Sequence, residues 1–143
     1  MSYLLDTNVI SEARRKSPDA RVIRWLSERP AASLYLSVLT LGELRKGIAA
    51  LADDHRRGLL QDWLEVELPA FFTGRILPVD AAVAHTWGSL LASAGRSLPS
   101  IDSLIGATAA RHGMSVVTRN AKDYAGLGIT VIDPWNLDHP TGS

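Results

Sequence analysis

Short runs of apolar, β-prone residues alternate along this chain with longer stretches whose apolar positions recur at helical spacing. The short runs fall near residues 3–5, 34–37, 75–79, 115–118 and 129–132 and predict strands. Between them, Val83, Trp87, Leu90, Leu91 and Ala94 stand at i, i+4, i+7, i+8 and i+11, one face of a helix. Ile101, Leu104, Ile105, Thr108, Ala109 and His112 repeat that spacing, Leu41, Leu44, Ile48 and Leu51 form a third stripe, and Leu59, Leu60, Trp63 and Leu64 a fourth. Ser17-Pro18, Arg29-Pro30, Leu98-Pro99, His112-Gly113 and the Gly126/Gly128 pair fall between the periodic segments, where breakers belong. Strands alternating with helices predict an α/β fold with a central, mainly parallel sheet flanked by helices. There is no repeat or low-complexity tract, so one domain over residues 1–137 is expected, followed by a loose tail over 138–143.

Composition narrows the chemistry. At 143 residues and 46% hydrophobic the chain has the length and apolar content for one core. It has no cysteine, which removes disulfides, thiolate metal sites and cysteine nucleophiles and leaves oxygen or imidazole to hold any metal. The opening Met1-Ser2-Tyr3-Leu4-Leu5 meets Asp6 too soon for a signal peptide, and no stretch is long enough to span a bilayer, so a soluble, cytoplasmic protein is expected. Fifteen basic residues balance fifteen acidic ones. If four of the acids serve as metal ligands, eleven remain against fifteen bases, an excess of four positive charges. Residues 11–30 concentrate Arg14, Arg15, Lys16, Arg21, Arg24 and Arg29 against three acids, either a solvated helix face or a surface for phosphate.

Four acids stand out, each with an ordinary alternative. Asp6 follows the first strand where a helix should begin, as an N-cap would. Thr40-Leu41-Gly42-Glu43 matches a capping box. Asp102 follows a plausible N-cap, Ser100, and suits the first turn of a helix. Asp123, three residues after Asn120, suits a turn. Capping does not explain their shared placement. Asp6, Glu43 and Asp123 each follow a strand within a few residues, and the carboxyl ends of parallel strands lie on one edge, where ligands bind. Carboxylates that converge there repel one another unless a cation sits among them. Magnesium, or manganese in its place, suits an all-oxygen donor set.

The segments Leu5-Asp6-Thr7-Asn8-Val9-Ile10-Ser11-Glu12, Gly42-Glu43-Leu44-Arg45-Lys46-Gly47-Ile48, Asp102-Ser103-Leu104-Ile105-Gly106-Ala107-Thr108-Ala109 and Val117-Thr118-Arg119-Asn120-Ala121-Lys122-Asp123-Tyr124 resemble the four motifs of VapC-type PIN domains, in their order and separations. The closing Val131-Ile132-Asp133-Pro134-Trp135 is similar to the end of these proteins, so the likeness runs from about residue 3 to 135. Gly106 stands where family members often carry alanine, a difference expected to cost helix stability alone. Asn120 stands where some PIN domains carry an acid, which leaves Asp123 as the fourth acid.

The resemblance implies a PIN-like domain and a metal-dependent ribonuclease, the toxin of a toxin-antitoxin pair. Asp6 and Asp102 would be direct metal ligands, Glu43 and Asp123 would complete the site or orient water, and Asn8, Thr118 and Asn120 would stand behind them. Arg14, Arg15, Lys16, Arg45 and Lys46 are the candidate RNA contacts. The resemblance further implies a homodimer, silenced by a small VapB-like antitoxin and meeting DNA only through it. No spacing among His55, His85, His112 and His139 suits a metal or nucleophile set: His112 is expected in the core or at a helix end, His85 within a helix, His55 and His139 at the surface. Trp25, Trp63, Trp87 and Trp135 are expected as core or interface anchors. Three rivals remain. An Asp6-nucleophile phosphatase would want Asp-x-Asp, but position 8 is Asn. A receiver-type domain would want an acceptor after the third strand, where Asp80 leads straight into a helical run. A non-catalytic binding module within a DNA-regulating complex would use the acids only as caps.

Overall fold

Two three-residue runs, β1 (Tyr3–Leu5) and β4 (Ser115–Val117), are buried at every position, as central strands of a parallel sheet must be when helices cover both faces. In the computed structural model, which describes residues 1–137, these two strands pair in parallel. On its other side β1 pairs with β2 (Leu34–Ser37), which pairs with β3 (Ile76–Leu77), while β4 pairs with β5 (Val131–Ile132). The order is β3-β2-β1-β4-β5, all parallel. The predicted tail over 138–143, with His139, lies outside the described residues.

Alternation along the strands divides the interior in two. Tyr3, Leu5 and Val117 face one core with Val9, Trp25, Leu44 and Phe72, while Leu4 and Val116 face the other with Ile105, Ala109, Tyr124 and Ile129. The outer strands are shorter than the expected 75–79 and 129–132. Pro78, directly after β3, has no N–H with which to extend the ladder. Ile129 leaves the sheet to pack in the second core behind Gly128, whose φ is +71°.

Seven α-helices are found among the described residues: α1 (Thr7–Ala13), α2 (Ala20–Ser27), α3 (Val38–Ala49), α4 (Asp54–Asp62), α5 (Leu68–Phe71), α6 (Ala81–Ser93) and α7 (Ser100–His112). A π-helical turn, Trp63–Glu67, carries α4 into α5 and buries Leu64 and Leu68 one turn apart. Side-chain caps start five of the helices, from Asp6, Asp19, Ser37, Asp53 and Asp80. Asp80 accepts the Val83 N–H at 2.9 Å, which accounts for an acid after β3 without a phosphoacceptor role.

Several local expectations are corrected. The box over Thr40 and Glu43 does not form, because Ser37 already caps α3, accepting the Leu39 N–H at 3.1 Å, and both residues lie inside the helix. Ser100 is the first residue of α7 rather than its cap; Pro99 occupies the cap position without a side-chain bond. His112 takes the helix-end place of the two expected for it, exposed in the last turn before Gly113 (φ +67°). Leu59 is likewise exposed, so the fourth stripe reaches the core only through Leu60, Trp63 and Leu64. His55 and His85 are exposed, Trp25 and Trp135 are buried, and Trp63 and Trp87 are half-buried.

Replacing Ser37 with alanine removes the cap of α3 and is expected to cost about 1 kcal/mol in urea denaturation. An unchanged midpoint would show that the start of this helix is held by packing alone.

Candidate active site

The chain turns one way from β1 into β2 and β3 and the other way into β4 and β5. The connections therefore diverge at the β1/β4 boundary, and a crevice opens beyond the carboxyl ends of those strands. Asp6 is the first residue past β1 and Thr118 the first past β4. The Asp6 N–H continues the ladder, donating to the Val117 carbonyl at 2.9 Å.

Asp6 serves both readings made of it. Its backbone is extended, and Oδ1 accepts the Thr7 N–H at 2.8 Å, capping α1. Oδ2 accepts from Thr118 Oγ1 at 2.8 Å and from the Tyr124 hydroxyl at 3.4 Å. The side chain is 4% exposed. Burial raises its pKa above the ordinary carboxylate value, opposed by the bonds from Thr118 and Thr7 and reinforced by repulsion from Glu43.

The Thr118 proton has one destination. The hydroxyl accepts from Asn8 Nδ2 at 3.2 Å and from the Asn120 N–H at 3.0 Å, so its own hydrogen must go to Asp6. Asn8 also accepts the Arg119 N–H, at 3.2 Å. Asn8, Thr118 and the backbone of Asn120 thus stand directly behind Asp6. Glu43, in the second turn of α3, receives the Thr7 hydroxyl at 2.5 Å, and that hydroxyl also lies 3.2 Å from the buried Thr40 hydroxyl.

Asp102, in the first turn of α7, is half-buried and its carboxyl is pushed up to about 6, by burial first and then by Asp6, Asp123 and Glu43. Asp6, Glu43 and Asp102 line one cleft, and Asp123 lies outside that lining. Asp123 lies on a 3₁₀ turn (Ala121–Tyr124) whose end is pinned by Arg96, which donates to the carbonyls of Asp123 and Ala125 at 3.2 and 3.0 Å. Tyr124 is buried, and burial and the neighbouring carboxylates raise its phenol far above the ordinary value, so it stays a neutral donor.

Asp6, Thr7, Asn8, Glu43, Asp102 and Asn120 line an open cleft of about 430 Å³, with Ser11, Glu12, Arg15, Arg119 and Trp135 along its sides; Asp123 does not line it. A larger hollow of about 610 Å³ beside α1, α2 and α5 is mostly apolar, and Glu67 is its only acid, so size does not select the site. Glu12 is buried and satisfied, accepting the Asp19 N–H at 2.9 Å and paired with Arg15 at 3.2 Å. Of the five basic candidates Arg15 alone lines the acid cleft. Arg14 lies over the Trp63 ring, Arg45 pairs with Glu65 at 2.9 Å, and Lys16 and Lys46 are exposed.

Among the described residues no three Asp, Glu or His side chains stand close enough to enclose one ion. The donor set nevertheless fits a hard divalent cation: the acids offer oxygen alone, and Asp6, Glu43 and Asp102 open onto one cleft. Reading the sequence missed Thr7 and Tyr124 as donors to the acids, and Arg119 and Trp135 in the cleft wall. Thr7 follows Asp6 directly and could have been suspected; the reach of Tyr124 to Asp6 depends on folding. Gly106 is also corrected. It is buried in α7, and a Cβ there would lie 3.1 Å from Ile129 Cδ1 and 3.4 Å from two Tyr124 ring carbons, so the position is packed closely against Ile129 as well as being a helix glycine.

A parallel five-stranded sheet with acids gathered at its switch point defines the class, and comparison with known proteins agrees. A family model described as PIN domain matches residues 3–125. The chain is 38% identical over 135 residues to VapC ribonuclease Y4jK of Sinorhizobium fredii, covering 92% of this chain and 96% of that protein. It is 38% identical over 136 residues to Toxin FitB of Neisseria gonorrhoeae, covering 93% and 98%. The solved structure of FitAB bound to IR36 DNA fragment matches with a TM-score of 0.88 at 36% identity, over 96% of this chain and 98% of that one. The chain belongs to the PIN-domain family and is VapC-like.

The raised Asp102 pKa has a testable consequence. The folded state holds this proton more tightly than the unfolded chain, so the linked stability is present below the ordinary value of 3.8 and lost as pH rises through about 6. Asp102→Asn is therefore expected to raise the melting temperature of metal-free protein near neutral pH and to change it little in acid, read by scanning fluorimetry. A lower melting temperature at neutral pH would show that the carboxylate stabilises the fold.

Proposed function

We propose that this chain is a metal-dependent endoribonuclease, the toxin of a toxin-antitoxin pair, which hydrolyses RNA phosphodiester bonds. The observation that carries this reading is the buried, three-donor Asp6 carboxylate lining one cleft with Glu43 and Asp102. The names of the relatives support it, one a ribonuclease and the other a toxin. Asp6 and Asp102 would hold the ion, magnesium with manganese as the alternative, and Glu43 and Asp123 would complete its shell or orient water. A divalent ion at this place supplies positive charge for the phosphate and acidifies water for attack.

The protein's own groups do the positioning. Thr7, Thr118 and Tyr124 fix the rotamer of Asp6, Thr7 also orients Glu43, and Asn8 and Asn120 hold the Thr118 hydroxyl so that it donates to the carboxylate. Arg15 on the wall, with Arg14, Lys16, Arg45 and Lys46 farther out, offers positive charge to RNA. No histidine lines the cleft, and the chemistry needs none. The phosphatase alternative is disfavoured, since both Asp6 oxygens accept hydrogen bonds and the side chain is almost wholly buried. A nucleophile needs open in-line approach, whereas a metal needs only a lone pair.

On this reading residues 1–137 form the nuclease domain, acting in the cytoplasm as a homodimer. A small VapB-like antitoxin restrains it and supplies any contact with DNA. The solved FitAB assembly on DNA supports that arrangement. No membrane is involved, and among the described residues no helix is long and apolar enough to cross one.

Incubation of purified protein with total RNA tests the activity. Discrete cleavage is expected with magnesium or manganese and none with chelator, and Asp6→Asn, Glu43→Gln and Asp102→Asn should each lose on the order of 100-fold or more while remaining folded by circular dichroism. Intact RNA with the wild type, or equal cleavage by all three variants, would overturn the reading.

A further inference from the structure

The acid cleft is flanked by two arginines, each laid on an indole. On one side the Arg119 guanidinium lies 5.1 Å from the Trp135 ring centroid, and both residues line the cleft. On the other, Arg14 lies 5.5 Å from the Trp63 ring centroid. Arg14 and Trp63 line a hollow of about 210 Å³ that shares Ser11, Arg15 and Glu43 with the acid cleft and also holds Arg56. The two hollows are therefore neighbours, with Ser11, Arg15 and Glu43 between them.

Arg119 is held at its backbone, and the indole beside its guanidinium is held as well. Arg119 is tied into the network behind Asp6 through its N–H to Asn8 Oδ1. Its indole seat is 5% exposed and held at both backbone ends: the Trp135 N–H donates to Asp133 Oδ1 at 2.9 Å, and its carbonyl accepts from Arg21. The carboxylate that acts on Arg119 electrostatically, Asp19, is already paired with Arg21 at 2.8 Å. Arg14 and Arg119 are exposed and take part in none of the ion pairs among the described residues. A guanidinium stacked on an indole keeps its N–H edge free in a fixed plane, which suits a phosphate and lowers the entropy lost on binding.

We propose that Arg119 and Arg14 hold the RNA backbone on opposite sides of the scissile phosphate, so that a single strand crosses the acids from the Trp135 side to the Trp63 side. This rests on the ribonuclease reading and adds to it a substrate path and a mode of recognition. Each guanidinium beside its indole presents positive charge suited to phosphate. The contacts therefore read phosphate and contribute affinity without sequence preference.

The test uses the full chain carrying Asp6→Asn, which prevents cutting, with labelled single-stranded RNAs of two unrelated sequences and fluorescence anisotropy over a salt series. Arg14→Ala and Arg119→Ala should each weaken both RNAs by the same factor and each lower the slope of log affinity against log salt by about 0.7, the two adding in the double variant. Arg119→Lys should keep the slope and lose affinity, because it keeps the charge and loses the stacked fork. Arg111→Ala, at the far end of α7 from Asp102, should change neither. Unchanged affinity and slope in both alanine variants would overturn the proposal, as would an equal effect of Arg111→Ala. So would unchanged RNA binding alongside weakened binding of the antitoxin, which would assign the two arginines to a protein partner. If the wild type still cuts RNA, only this proposal fails; if it neither cuts nor binds RNA, the ribonuclease reading fails with it.

Discussion

Asp6 places a carboxylate at the end of the central strand with 4% of its surface exposed, and a buried carboxylate is tolerated only where donors surround it. The donors come from three parts of the chain. The Thr7 N–H is the exposed start of α1, the Thr118 hydroxyl is the end of β4, and the Tyr124 hydroxyl is the end of a 3₁₀ turn packed under α7. The Thr7 bond is local, but neither the Thr118 nor the Tyr124 hydroxyl would reach Asp6 unless β1 and β4 lay side by side. The parallel β1/β4 pairing is therefore as much a part of the site as the acids, and the apolar faces of Leu4, Leu5, Val116 and Val117 hold it in place.

The same edge concentrates electrostatic stress. Burial first, and then Asp6, Asp123 and Glu43, disfavour the charge of Asp102. Local order offsets that stress. Arg96 pins the turn carrying Asp123, Trp87 Nε1 donates to Ser103 Oγ at 2.9 Å one residue past Asp102, and Gly106 is packed closely against Ile129.

A formal net charge of zero does not describe the surface that a polyanion would meet. Several cations are engaged elsewhere: Arg21 with Asp19, Arg57 with Asp54, and Arg45 with Glu65. Arg14 and Arg119 lie instead on tryptophans beside the acids. Attraction for phosphate is thereby localised around a cleft whose own acids would repel it.

The amino-acid sequence alone determined the five strands, the alternation that makes the sheet parallel and doubly covered, and the positions of Asp6, Glu43, Asp102 and Asp123 in register with a known family. These are local properties, since strand and helix periodicity and motif spacing are written in neighbouring residues. Folding decided what each of those residues does. The Thr40/Glu43 pair reads locally as a capping box, yet Ser37, the last residue of β2, takes that role, which frees Glu43 to receive the Thr7 hydroxyl. Tyr124 carries no sequence signal of its connection with Asp6, 118 residues away, because a hydrogen bond between such distant positions exists only after β1 and β4 have paired. Arg119 and Trp135 likewise become a wall of the cleft only when the last strand has brought the end of the chain back to the sheet's carboxyl edge. Periodicity carries information along the chain, while distances between its remote parts are set by packing.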